Sequence, residues 1–293
     1  MNKIFCYGEV LWDVFPDKSL IGGAPLNCSL RLHSLGNKVD IISAIGNDSL
    51  GKKVASFIND KGLSTQFIQT NKYETGTVDI NLDKNGNAAY KIKDLVSWDF
   101  IDLSNTMIEK IKESDAFIYG SLSSRNIQSK KTLFELLEKA PFKVFDLNLR
   151  SPFNDIETIK KLLDKADFIK CNQEEIIQTA NQLGYFKNDL ISNILFISKS
   201  TKTETICVTK GNKGAILYYK NNFFIHEGFT VKVIDTVGSG DSFLAMLVSE
   251  LLKKNDPKQS LKKSCAIGAM VASESGANPE FNEEEIRIFI ESY

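Results

Sequence analysis

Short apolar runs alternate with helical patterns along nearly the whole chain, and this alternation restricts the fold more than any other feature. Strand-like runs fall at Ile4–Leu11, Val39–Ile45, Ala116–Gly120, Phe142–Leu147, Asp167–Lys170, Thr205–Thr209 and Ala215–Tyr219. Helical patterns fall at Asn27–Leu35, Leu50–Lys61, Ser129–Lys139, Ile156–Asp164, Glu174–Leu183, Ser242–Lys254 and Pro257–Ser273. Such a rhythm predicts a three-layer α/β/α sandwich with a mainly parallel central sheet. The 293 residues, 42% of them hydrophobic, suffice for one large α/β domain or two modest ones. No repeat or Pro/Gly-rich linker divides them, so residues 1–293 read as a single domain.

One section breaks the rhythm. Thr77–Asp83 alternates polar and apolar residues, Asn85-Gly86 follows, and the alternation resumes from Ala88 to Lys93. Asn-Gly between alternating runs is the strongest short-range hairpin signal. The hairpin is either ordinary surface or a flap over a ligand site. Sites in open α/β sheets lie at the strand carboxyl ends and often need a cover, which favours the flap. Segments 12–22 and 75–100 are therefore expected to form a small β lid. Its exposed edge could also pair with a second copy, giving a homodimer through the lid.

Composition excludes several functions. Acids and bases nearly cancel, 37 against 36, so neither nucleic acid nor an anionic membrane is an expected partner. No apolar stretch approaches a bilayer span and the amino terminus lacks a signal-type apolar core, so a cytoplasmic protein is expected. The cysteines Cys6, Cys28, Cys171, Cys207 and Cys265 lack metal-ligand spacing and read as buried free thiols. With only His33 and His226 present, a His-rich metal site is excluded and proton transfer falls to a carboxylate.

The segment carrying most chemistry is Asp235-Thr236-Val237-Gly238-Ser239-Gly240-Asp241-Ser242-Phe243. Its glycines permit a tight turn with bare backbone amides, and the apolar run Phe243–Leu252 predicts a helix starting there. Free amides and the helix dipole favour an anion at that point. Asp241, in the first turn, can cap the helix or act as a base beside a bound phosphate. That arrangement suits phosphoryl transfer to an alcohol.

Other polar groups lie at strand exits. Asp146-Leu147-Asn148-Leu149-Arg150 would present Asp146, Asn148 and Arg150 on one face if the chain stays extended. Arg150 suits anions or vicinal hydroxyls, and equally suits a local salt bridge to Asp146. Asn172 and Glu175 have capping-box spacing, and a carboxylate there could also hold a water on Mg²⁺. Thr209-Lys210-Gly211 is a turn that could approach a nucleotide. Gly22-Gly23-Ala24-Pro25-Leu26-Asn27 gives a bare backbone approach before a helix, and Asp13 ends the first strand region. Gly46–Lys53 nearly matches a P-loop, but Lys53 stands where Ser or Thr should place a hydroxyl on Mg²⁺, so that reading is rejected.

Taken together these residues resemble the ribokinase-like carbohydrate kinases over essentially the whole chain, and within them most closely the fructokinases. The amino-terminal signature is Gly22–Ser29 followed by Gly36 and Gly46, and the carboxyl-terminal one runs from Asp235 to Ala245. Gly8–Asp13 and the Asp-x-Asn-x-Arg at 146–150 carry the likeness to fructokinases. Met246 replaces a usual small residue and Leu147 a usual Pro. The resemblance implies transfer of the ATP γ-phosphoryl group to a sugar primary hydroxyl, most simply the 6-hydroxyl of fructose. Asp241 would be the base, and the amides of Gly238, Ser239 and Gly240 the anion hole. Asp13, Gly22, Gly23, Asn27 and Arg150 would hold the sugar, while Asn172, Glu175, Thr209 and Gly211 would serve ATP and Mg²⁺. Asp235, Val237, Glu274 and Gly276 would hold a monovalent cation such as K⁺, next to Glu280, where a small hydroxyl residue is usual.

Overall fold

In the computed structural model, which describes residues 1–82 and 88–293, the apolar runs become strands and most of the helical patterns become helices. The strands are β1 (Lys3–Tyr7), β2 (Leu11–Val14), β3 (Ser19–Gly22), β4 (Lys38–Gly46), β5 (Ile68–Asn71), β6 (Gly76–Leu82), β7 (Ala88–Ile92), β8 (Ala116–Gly120), β9 (Lys143–Asp146), β10 (Phe168–Asn172), β11 (Thr205–Thr209), β12 (Ala215–Tyr219) and β13 (Asn222–His226). The helices are α1 (Ala24–Ser34), α2 (Ser49–Asp60), α3 (Asn105–Lys112), α4 (Ile127–Leu137), α5 (Ile156–Lys165), α6 (Gln173–Gln182), α7 (Leu190–Thr201), α8 (Ser239–Leu252), α9 (Pro257–Ala272) and α10 (Glu283–Glu291).

A nine-stranded sheet runs in the order β13-β12-β11-β10-β9-β8-β1-β4-β5. It is parallel from β5 to β11, and β12 and β13 close it antiparallel. Successive residues of β1 feed opposite faces, as a pleated strand requires. Phe5 and Tyr7 join Leu133, Leu136 and Leu162 from α4 and α5, with α3, α6 and α7 on the same face. Ile4 and Cys6 join residues of α1, α2, α8 and α9 on the other. The sheet is thus covered on both faces, the three-layer sandwich expected of the alternation. All five cysteines are buried and free. No helix among the described residues is long and apolar enough to cross a membrane.

The run Ile4–Leu11 is not one strand. At Gly8, with φ of 142°, the chain leaves β1, and Leu11 begins β2 in a second sheet. A Cβ at Gly8 would lie 2.9 Å from Pro25, so glycine is required at this exit. The second sheet has the order β3-β2-β6-β7 and buries its own small cluster of Leu11, Val78 and Ile80. Strands β6 and β7 pair antiparallel, while the Asn85-Gly86 turn falls outside the described residues.

The P-loop lookalike is a structural corner. Asp48 caps α2 by accepting from the Gly51 N–H at 2.7 Å, and also accepts from the Thr75 N–H and hydroxyl. A Cβ at Gly46 would strike the Tyr73 carbonyl, leaving no cradle for a phosphate.

Candidate active site

Helix α8 begins as its sequence dictates. Gly238 is its N-cap at φ 75°, in the left-handed region, and a Cβ there would lie 2.3 Å from the Ala277 carbonyl. Only glycine meets both constraints. The Ser239 N–H closes a turn onto the Thr236 carbonyl, and its hydroxyl donates to the Gly268 carbonyl at 2.8 Å. Among the described residues the Gly240 and Asp241 amides find no backbone acceptor, the ordinary state of a first helical turn. An anion at this point therefore meets free donors and the positive end of a 14-residue helix.

Asp241 does not cap the helix. Its Oδ2 accepts from Asn27 Nδ2 at 2.8 Å, across from α1. Asn27 Oδ1 in turn accepts from Asn278 Nδ2 at 2.8 Å. Burial, and then the charge of Asp146, push the Asp241 carboxyl up to about 6, while Lys170, Asn27 and Arg150 act against the rise. A carboxylate tuned upward in this way is a better proton acceptor near neutral pH.

Lys170, on β10, is the main residue that sequence reasoning missed. It is buried, with Nζ 3.0 and 3.3 Å from the two carboxylate oxygens of Asp146 on β9. Burial disfavours its charge, but Asp146, Glu175 and Asp241 more than compensate, so its affinity for the proton is raised. The same ammonium lies 3.3 Å from where a Cβ on Gly240 would sit. A lone Lys inside the apolar run Phe168–Cys171 was the available signal, since a buried cation requires a partner.

This ion pair corrects the expected Asp146–Arg150 arrangement. Strand β9 ends at Asp146, and Asn148 turns into the left-handed region at φ 36°, so the segment is not extended and its residues do not share a face. Asn tolerates that conformation. Arg150 is exposed, and among the described residues it has no ion pair. Its charge nevertheless reaches Glu9, Asp13 and Asp241.

Asp13, on β2, is half-buried, and its carboxylate stands 2.7 Å from the missing Cβ of Gly22. A Cβ on Gly23, at φ 110°, would lie 2.5 Å from the Glu9 carbonyl. These two glycines therefore let β3 and the start of α1 close against the Gly8–Asp13 segment. Burial raises Asp13 to about 6, with Arg150 opposing. Glu9 is fully enclosed, is pushed by burial to about 7, and has one carboxylate oxygen without a partner.

Of the residues expected to serve ATP, Asn172, Thr209 and Gly211 line a cavity of about 500 Å³ together with Thr236, Ser239 and Gly240, while Glu175 does not line it. Asn172 and Glu175 form the expected capping box at the start of α6. Glu175 Oε2 accepts from the Asn172 N–H at 2.8 Å and Oε1 from the Leu149 N–H at 2.9 Å. Each oxygen keeps a lone pair, which suits holding a metal-bound water more than direct ligation. Asp235 ties two loops together, accepting from the Val237 N–H at 3.0 Å and the Gly276 N–H at 3.2 Å. Glu274 is exposed on the second loop. No group of three or more His, Cys, Asp and Glu fit for a metal occurs among the described residues. Glu280 pairs with Lys61 at 2.7 Å. Met246 packs with Ile267 and Met270, and Leu147 lies in the core. His33 is exposed on α1, and His226 accepts from the Gly228 N–H on β13.

A glycine turn with free amides, a tuned carboxylate and a buried cation at the carboxyl ends of a mainly parallel sheet define a phosphotransferase on a ribokinase-like fold. The chain belongs to the pfkB family of carbohydrate kinases, which matches it over residues 1–284, and it is a sugar kinase. It is 27% identical over 301 residues to a fructokinase of Vibrio alginolyticus, covering 94% of this chain and 95% of that one. Its fold matches a fructokinase from Vibrio cholerae O395, solved with fructose, ADP and calcium ion bound, at a TM-score of 0.85, 23% identity and 99% coverage of both chains. It also matches an aminoimidazole riboside kinase from Salmonella enterica, complexed with aminoimidazole riboside and an ATP analogue. There the TM-score is 0.82 at 19% identity, with 99% of this chain and 100% of that one covered.

Proposed function

We propose that the protein transfers the γ-phosphoryl group of ATP to a sugar primary hydroxyl, with fructose as acceptor and fructose 6-phosphate as product. The observation that carries this reading is Asp241, raised to about 6 and standing one residue beyond the free Gly240 amide. With Oδ2 engaged by Asn27, Oδ1 is the oxygen left to accept the hydroxyl proton. Whereas the Ser239 N–H expected in the anion hole is turned onto the Thr236 carbonyl, the amides of Gly238 and Gly240, joined by that of Asp241 and with Lys170 nearby, stabilise negative charge on the transferring group. Such a donor is worth roughly 2.7–4 kcal/mol in the transition state. Asp13, Gly22, Gly23, Asn27 and Arg150 orient the sugar. Asn172, Glu175, Thr209 and Gly211 orient the nucleotide.

Mg²⁺ arriving with ATP neutralises phosphate charge, and Glu175 is placed to hold one of its waters. A monovalent cation such as K⁺ fits the Asp235 region, where the Val237, Glu274 and Gly276 carbonyls are the available donors. The four-stranded sheet acts as a lid that excludes water as a competing acceptor, and its edge is the surface through which two copies would pair. Fructose is favoured by the 27% identity to a fructokinase along most of the chain. The second reading keeps the mechanism and changes the acceptor to 2-keto-3-deoxygluconate, ribose or a nucleoside. It draws on the equally complete fold match to the aminoimidazole riboside kinase.

The deciding experiment is ADP release with Mg²⁺-ATP and K⁺ over fructose, glucose, mannose, ribose, 2-keto-3-deoxygluconate and adenosine. Turnover highest on fructose is expected. Turnover confined to another acceptor would remove fructose and keep the mechanism. Sugar binding with no turnover on any acceptor would overturn the kinase chemistry proposed for the site.

A further inference from the structure

The contact between Asp241 and Asn27 leaves a question of orientation. An amide can present either its NH₂ or its carbonyl to a carboxylate, and only the NH₂ stabilises the charged form. Asn27 lies on α1, almost fully buried, and its other polar atom meets Asn278 Nδ2 at 2.8 Å. Asn278 belongs to the loop after α9, where the Gly276 N–H donates to Asp235. The Asn278 carbonyl oxygen is buried without a partner, so the side chain is not held there by ordinary saturation of both its ends. Its one bond is the one that turns Asn27 toward Asp241.

We infer that Asn278 is a positioning residue: its NH₂ occupies the Asn27 carbonyl, fixes the Asn27 amide with its NH₂ on Asp241 Oδ2, and so reserves Asp241 Oδ1 for the acceptor hydroxyl. This rests on Asp241 being the base. Without Asn278 the Asn27 amide is free to rotate, the donor on Oδ2 is lost for part of the time, and both the charge and the free oxygen of Asp241 become ill-defined. The charged and titratable groups around Asp241 are Glu9, Asp13, Cys28, Asp146, Lys170 and Arg150. None of them hydrogen-bonds to Asn278, whose side chain bonds to Asn27, so its removal changes the amide chain without taking a bond from those groups.

Asn278→Ala and the isosteric Asn278→Asp test the inference, with Asp241→Asn as control. The measurements are kcat and sugar KM from pH 5 to 8, and the thermal midpoint. In Asn278→Ala, kcat is expected to fall about tenfold, the worth of one charge-assisted hydrogen bond. KM should change little, and the acid limb of the kcat profile should move to higher pH, because a donor that favours the carboxylate is lost. Asn278→Asp should be worse, since its carboxylate draws the Asn27 NH₂ away from Asp241 while preserving shape. A purely structural role would lower the midpoint and leave the limb where it was. An inactive Asp241→Asn beside Asn278 variants with wild-type kcat and limb would overturn the role of Asn278 alone. Full kcat in Asp241→Asn would overturn the base assignment and this inference together.

Discussion

Lys170 and Asp146 form a buried ion pair between neighbouring strands, with Nζ 3.0 Å from Oδ1 and 3.3 Å from where a Cβ on Gly240 would sit. The pair is formally neutral, but it orders a buried ammonium close to the amino terminus of α8. A Cβ at position 240 would make a tight contact with the ammonium, which would have to give by a few tenths of an ångström.

Replacing Lys170 with Met is expected to do two separable things. Stranding Asp146 without its partner should cost about 3–5 kcal/mol of stability. Removing the cation beside the phosphoryl site should lower kcat about 10²–10³-fold. The double variant Lys170→Met/Asp146→Leu should recover the thermal midpoint and not the turnover. Recovery of both would show that the pair is structural only.

Glu9 gives a pH signature of stability. Its folded value of about 7 lies above the ordinary 4.5, so the native state binds more protons than the unfolded chain between those limits. Stability is then greatest below about pH 4.5 on this account and falls as pH rises toward 7. Asp13 and Asp241, each raised to about 6, act in the same sense. Glu9→Gln, which has no charge to bury, should gain on the order of 2 kcal/mol at pH 8 and little at pH 5. Urea unfolding at the two pH values measures it, and an equal effect at both would contradict the assignment.

Arg125 joins the end of the second sheet to the main body. It donates to both carboxylate oxygens of the buried Asp99 at 2.7 Å and to the Lys93 carbonyl, and it stacks on Trp98 at 4.0 Å and Phe153 at 4.7 Å. Arg125→Ala should lose about 3–5 kcal/mol, because Asp99 is left buried without a cation, its Oδ2 held only by the Val96 N–H. Arg125→Ala/Asp99→Ala should lose less than that. Thermal or urea denaturation of both variants decides the matter, and equal losses would point to stacking as the dominant part.

Much of this was legible in the sequence, and the gaps have physical causes. Strands Ala116–Gly120, Thr205–Thr209 and Ala215–Tyr219 appear with the bounds their apolar runs predict, since both faces are buried and the signal is continuous. Helices α3, α7 and α10 were not foreseen. Their apolar stripes are short or are crowded with β-branched residues, as in Leu190–Thr201, and tertiary packing decides them, α3 and α7 in the core on one face of the sheet and α10 against α8 and α9. The turn at Gly238–Asp241 was readable because its chemistry is local. The contacts that tune it are not local: Lys170 meets Asp146 from 24 residues away, and Asn278 meets Asn27 from 251. Asn148 defeated the extended reading because one left-handed residue redirects every side chain after it.

In the proposed reaction Asp241 takes the proton of the acceptor hydroxyl. The most direct test is the steady-state rate of Asp241→Asn with fructose and Mg²⁺-ATP, alongside calorimetric fructose binding. A fall in kcat of about 10²–10⁴-fold, the usual worth of a general base, is expected, with fructose affinity largely retained. A variant that binds fructose and turns over at the wild-type rate would contradict it.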